Sequence, residues 1–283
     1  MCERSNKITR QYKDRLFRAI FGSPERKEYA LALYNAMNQT HYENAQDLQI
    51  YTIEDAVYMG MKDDVAFIFA NMLNLYEEQS ALNPNMPLRG LLYLAKQYEK
   101  YIQENHVDLY RTTLQSIPTP QYYVFYSGLQ KVPARFQLRL SDAFLTPTEN
   151  PPCLEVLAAV VNINYGENEA LMQACKPLAD YARFVKYVRM NQADGLALPG
   201  AVDAAVDRAI REDLLDGFFR GHKAEVVGMV LAEYNEEQTQ KNWFEDGKAE
   251  GRAEGRAEML QDLSVALGIS QQQLQSLLDA KES

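Results

Sequence analysis

The spacing of apolar positions changes several times along the chain. From Tyr12 to Phe21, the residues Leu16, Phe17, Ile20 and Phe21 fall on one helical stripe, the i, i+3, i+4 pattern of an amphipathic helix. Gly22 ends that stripe. Ser23-Pro24 then supplies a cap and a proline for the first turn of a second helix, to about Met37. Leu48 to Met61 is richer in Ile, Val and Tyr and reads as extended. Two apolar runs follow, Asp64 to Phe69 and Met72 to Gln79, separated only by Ala70-Asn71. Asparagine tolerates the positive φ of a tight turn, so the pair predicts a β-hairpin.

The loop Asn83-Pro84-Asn85-Met86-Pro87 leads into a helix with Leu88, Leu91, Leu92, Ala95, Tyr98 and Ile102 as its apolar positions. Tyr122 to Tyr126 and Leu154 to Ile163 read as buried strands. Leu171, Ala174, Cys175, Leu178, Tyr181, Ala182 and Val185 mark one further amphipathic helix. This order predicts a mixed α/β domain over 1–191. Gln192 to Gly200 reads as a linker. An all-helical extension over 201–240 is expected to pack on the core, and 241–283 to form a tether with a terminal helix.

The tether holds the one internal repeat, Gly247, Gly251 and Gly255. Glycines four apart share a helical stripe, and each costs a helix about 1 kcal/mol against alanine. A half-formed soluble helix and a close helix–helix contact between subunits are both open readings. Trp243 reads as a docking anchor, and Ser270-x-x-Gln273 as a capping box.

Composition narrows the function classes. The chain has 283 residues, 47% hydrophobic and 24% charged, which is ordinary for a globular protein. Its longest apolar stretches, such as Val156 to Val161, fall far short of the roughly 20 residues a membrane helix needs. The N-terminal residues lack the apolar core of a signal peptide, so the expectation is a cytoplasmic protein with no membrane partner. Three scattered cysteines argue against a disulfide framework, and three isolated histidines against a structural zinc site. A net charge of −10 argues against a broad basic surface that coats nucleic acid. It leaves room for a local basic groove, or for carboxylates that hold a cation facing phosphate.

The hairpin holds the candidate chemistry. With Ala70-Asn71 as a two-residue turn, Asp64 lies directly across from Glu77. Opposed residues share a sheet face, with Cβ atoms about 4.5–5.5 Å apart. Two carboxylates that close repel unless a cation sits between them. Gln79, two residues past Glu77, joins the same face. Such hard oxygen donors suit Mg²⁺, which can polarise a phosphodiester and activate water. Glu77 and Glu78 point to opposite faces and cannot share a substrate. A one-residue slip of register would exchange Asp64 for Asp63.

Several other residues have two readings. Asp14 can favour the helix terminus or serve as an accessory acid of the site. Arg89, in the first turn of its helix, can grip phosphate or pair with an acid. Glu155 can be a paired structural carboxylate or a site member. Tyr122, Tyr123 and Tyr126 read as sheet packing.

Asp64-x12-Glu77-x-Gln79, followed by a helix, resembles the restriction-endonuclease-like PD-(D/E)XK nuclease motif. More specifically, the chain resembles the bacterial recombination-promoting nuclease (Rpn) family, whose members also carry a transposase label. The matching stretches are Lys13 to Gly22, Leu75 to Ser80, Asn83 to Arg89, Val124 to Gly128, and Leu154-Glu155-Val156 through Asn162-Ile163-Asn164. The glycine-every-four tail is shared as well.

The resemblance implies a mixed sheet flanked by helices and a divalent-metal-dependent DNA endonuclease. Asp64 and Glu77 would hold Mg²⁺, Mn²⁺ or Ca²⁺, and Gln79 would stand at the third catalytic position. Glutamine lacks the positive charge that lysine carries in the broader motif. Glu78 stands where the family leads one to expect histidine. DNA would be the partner, and the C-terminal helices would join copies of the chain. A catalytically silent scaffold or DNA-binding accessory of the same fold is the alternative.

Overall fold

A computed structural model gives the fold, describing residues 11–51, 65–146 and 152–232 and single helical positions between 244 and 260. The chain divides into two compact units, Met1–Leu231 and Ala232–Ser283. The first is a six-stranded sheet with helices on both faces. Its strands are β1 (Gln49–Ile50), β2 (Val65–Phe69), β3 (Met72–Gln79), β4 (Thr119–Tyr126), β5 (Arg135–Arg139) and β6 (Leu157–Asn162), in the order β1-β2-β3-β4-β6-β5. β3, β4 and β6 run parallel at the centre, and the outer strands join antiparallel.

The hairpin forms with the register expected from its turn, from Phe69↔Met72 to Val65↔Tyr76. Ala70 and Asn71 both sit at positive φ, +49° and +60°, as a turn matching the strand twist requires. Strand parity then separates two cores. Ala66, Leu73, Leu75, Tyr122, Val124 and Val160 pack under α3 (Met86–Glu104). Val65, Phe67, Tyr76, Phe125 and Val161 pack under α1 (Gln11–Phe21), α2 (Lys27–Asn38), α5 (Lys176–Ala193) and α6 (Leu198–Arg211). β3 is buried along nearly its whole length, yet carries Asn74, Glu77 and Glu78. Central parallel strands normally read as continuous apolar runs, so these buried polar groups call for partners.

Four sequence expectations need correction. β5 was not anticipated, although Phe136 and Leu138 alternate with exposed Arg135, Gln137 and Arg139 as an edge strand does. The helix expected through Leu171 and Val185 is two helices, α4 (Glu169–Ala174) and α5, broken at Cys175. Pro177 in the first turn of α5 would strike the Gln173 carbonyl in a continuous helix. The apolar stripe assigned to α3 is not its buried face. Leu88 and Leu92 are exposed, and the inward positions are Met86, Pro87, Gly90, Tyr93, Leu94 and Gln97. A Cβ at Gly90 would run into the Tyr122 ring, so close approach to the sheet selects glycine there. Finally, the linker expected over Gln192 to Gly200 shrinks to a turn over 194–197, with Gly195 at φ +94°, because α5 runs through Ala193 and α6, which packs along it, starts at Leu198.

A further helix, α7, covers residues 218–232. Asp180, buried on α5, accepts from the Leu215 backbone N–H at 3.0 Å and from Lys176 at 3.1 Å. These bonds fix the bend that leads into α7. The extended segment expected over Leu48 to Met61 is described only as far as Tyr51, with β1 inside it. Gly251 and Gly255 lie in helix, while Gly247, Trp243 and the Ser270 capping box lie outside the described residues. Among the described residues, no helix is long and apolar enough to cross a membrane.

Candidate functional site

The loop before α3 determines where Arg89 goes. Asn83 accepts from the Asn85 backbone N–H at 3.0 Å through its side chain and from the Met86 N–H at 3.3 Å through its carbonyl. Pro87 stands in the first turn of α3, where its missing N–H costs nothing. The helix therefore starts tightly after β3 and carries Arg89 back over that strand. Its guanidinium forms an ion pair with Glu77 and donates to the Tyr93 hydroxyl at 3.2 Å.

Glu77 is fully buried. Its Oε1 accepts from Arg89 and, at 3.1 Å, from the Gln79 amide. Its Oε2 accepts from the Tyr122 hydroxyl at 2.6 Å. Burial works against the Arg89 charge, but Glu77 and Tyr93 outweigh it and hold the guanidinium more firmly protonated than usual. Glu77 and Gln79 thus share one face, as strand parity requires. Of the two readings of Arg89, pairing with an acid is the one observed. Tyr122, expected to serve packing alone, is a donor to Glu77. It lies beside Leu75 on β4, and no local sequence signal marks a tyrosine that will meet an acid two residues further along the neighbouring strand.

Asp64, the proposed partner acid, lies outside the described residues. The remaining donor set can be tested against a divalent cation. A carboxylate offers roughly four lone-pair sites, and at least three on Glu77 are taken. The compensating positive charge is already the Arg89 guanidinium, which an incoming cation would face at close range. The described residues, as arranged, therefore do not fit a metal ion. No group of three or more His, Cys, Asp or Glu suited to a metal occurs among them.

Glu78 sits on the opposite face, equally buried. It accepts from the Ser127 hydroxyl. Lys13 on α1 reaches the same hydroxyl at 3.4 Å and the Ser127 carbonyl at 3.5 Å. Arg189 on α5 donates to that carbonyl and to Asn164 Oδ1, the latter at 2.7 Å. Burial pushes the Glu78 carboxyl up to about 7; Lys13 and Ser127 pull it down, Asp14 adds to the rise, and Arg189 opposes it. Asp14 therefore acts on the Glu78 side, across the sheet from Glu77, and does not join Glu77 and Gln79. Lys13, Ser127 and Arg189 are more than a hundred or some sixty residues apart in sequence, which is why reading the chain did not connect them.

The other candidates have structural partners. Glu155 accepts from the Ser141 hydroxyl at 2.8 Å, its N–H at 3.1 Å and Arg139 at 3.0 Å. The Ser141 hydroxyl first, then the Ser141 N–H and Arg139, hold that carboxyl below the usual range against a small burial effect. Burial pushes the Cys175 thiol up to about 12, so it is no nucleophile. His222 stacks on Phe218. Comparison of the chain with family models, curated proteins and solved structures finds no match. Fold and site together define a mixed α/β protein with a buried glutamate on each face of β3, Glu77 ion-paired with Arg89 and Glu78 hydrogen-bonded by Ser127.

Proposed function

We propose that this chain is a nuclease-fold protein acting on DNA, a divalent-metal-dependent endonuclease of the Rpn type. The observation that carries the reading is the hairpin and its helix. The β2–β3 pairing keeps the register the motif requires up to Val65↔Tyr76, and Glu77 and Gln79 share a face onto which α3 delivers Arg89. The order hairpin, helix, then a strand parallel to β3 agrees with a restriction-endonuclease-like plan. Metal dependence on Mg²⁺ or Mn²⁺ rests on the expected pairing of Asp64 with Glu77 and on the resemblance. What the chain's own residues supply is a carboxylate at Glu77 held in place by Arg89, Gln79 and Tyr122.

The Arg89–Glu77 pair favours the second reading, a catalytically silent fold that serves as a DNA-binding accessory. An Arg-neutralised carboxylate is a poor metal ligand and a stable structural unit. Joining of copies through the C-terminal helices is compatible with either reading. Plasmid nicking with Mg²⁺ or Mn²⁺ separates the two. Cleavage by the wild type that disappears in both Asp64→Ala and Glu77→Ala supports the enzyme. Cleavage unchanged in both variants removes the assigned site. DNA binding without cleavage, at any metal concentration, selects the accessory.

A further inference from the structure

A second site lies at the carboxyl ends of β4 and β6, the strands that run parallel to β3. Beyond the carboxyl ends of β4 and β6, the segments that start at Ser127 and Ile163 meet the second half of α5 around a cavity of about 520 Å³. That volume falls in the range of small-ligand sites. The crevice outside the carboxyl ends of parallel strands is also where open α/β sheets bind ligands. Its charged lining is Lys131, Lys186, Arg189 and Glu167. Three cations against one carboxylate leave a lining charge of +2 in a protein whose net charge is −10.

The state of these cations is informative. Lys176, Arg208, Lys223 and Arg89 all form ion pairs with carboxylates. Among the described residues, Lys131, Lys186 and Arg189 form none. Arg189 spends two of its five N–H donors on neutral oxygens, the Ser127 carbonyl and the Asn164 amide. Both bonds fix the guanidinium plane and leave further donors for a ligand. Lys186 sits 3.8 Å from the centroid of the Tyr165 ring, a half-exposed aromatic at the cavity mouth. Met190 and Ala193 of the last turn of α5 line the same cavity, and a helix C-terminus disfavours an anion, so attraction rests on the side chains. Ser127, which lines the cavity, donates to Glu78 behind it, and Glu78 and Asp14 both act on Tyr181 in the same wall.

We infer that this cavity binds a phosphate monoester, held by Arg189 with Lys186 and Lys131, with the ligand's organic part against Tyr165. A dianion matches the +2 lining, and a planar guanidinium fixed on one edge suits a phosphate's oxygens. The phosphate could belong to a free mononucleotide or to a DNA 5′ end, and the two sources share this chemistry. The inference does not depend on the nuclease reading.

Calorimetric titration of the full chain tests it, with 5′-AMP, adenosine, inorganic phosphate, and a short DNA oligomer with and without its 5′ phosphate. AMP is expected to bind and adenosine not. Lys186→Glu and Lys131→Glu are each expected to weaken AMP at least fivefold, with unchanged circular dichroism. Arg111→Glu, far from the cavity in sequence and exposed, is expected to change nothing. Tighter binding of the phosphorylated oligomer than of AMP assigns the DNA end, and the reverse assigns the free nucleotide. The inference is overturned if no phosphate binds up to about 10 mM, a very weak affinity on any scale. It is equally overturned if both lysine reversals leave AMP affinity unchanged, or if adenosine binds as well as AMP.

Discussion

Replacing Arg89 by methionine keeps the length and bulk of the side chain and removes its charge. Glu77 is then left fully buried with two neutral donors described, Gln79 and Tyr122. Breaking a buried pair by removing one partner typically costs about 3–5 kcal/mol, because a charge stays behind without compensation. Here the cost has a ceiling, since the carboxyl can take up a proton instead. Neutralising a glutamate with an unfolded-state pKa of about 4.3 costs about 1.4 kcal/mol per pH unit above that value, near 4 kcal/mol at pH 7 and about 1 kcal/mol at pH 5. In the variant the folded-state pKa lies above the unfolded one. The penalty is therefore absent below about pH 4.3 and grows as pH rises toward the shifted value.

The assay is urea unfolding of wild type and Arg89→Met at pH 5 and pH 7. The expected destabilisation is about 4 kcal/mol at pH 7, falling by about 3 kcal/mol at pH 5. Adding Glu77→Gln to the variant is expected to recover most of the pH-7 loss. A loss under about 1 kcal/mol at pH 7 would place the pair among exposed ion pairs of little worth. A loss that is the same at both pH values would also refute the account, because the buried carboxylate is what makes it titrate.

Two further outcomes follow from other positions. Glu78, with a folded pKa of about 7, adds stability that is complete below its unfolded pKa of about 4.3 and is lost as pH rises through 7. Wild type should therefore lose more thermal stability between pH 5 and 7.5 than Glu78→Gln, and parallel melting curves for the two would contradict the assignment. Ala70 occupies left-handed backbone at φ +49°, which costs an L-residue roughly 1–2 kcal/mol. Ala70→Gly should raise stability by about 0.5–1 kcal/mol after glycine's entropy loss, seen as a higher Tm, and a lower Tm would refute the strain.

Local chemistry accounts for what could be read along the chain. The β2–β3 hairpin was legible because a two-residue turn dictates register, and register dictates that Glu77 and Gln79 share a face while Glu78 does not. Helix α1 was legible because its apolar stripe, Leu16, Phe17, Ile20 and Phe21, is the face it buries. The buried face of α3 was not, because Gly90 and Gln97 face inward for reasons of distance and hydrogen bonding that hydropathy does not encode. β5 was too short and too charged to stand out from a loop.

The amino-acid order alone thus determined elements, turn geometry and which side of a strand each acid occupies, all set by interactions within a few residues. Only the tertiary structure decided what those acids meet. Glu77 found Arg89 and Tyr122, and Glu78 found Ser127 with Lys13 nearby, through contacts between elements brought together by burial of two separate apolar faces. The same packing closed the cavity between the strand ends and α5. Charge pairing over tens of residues depends on how layers stack, and that arrangement has no period in the sequence.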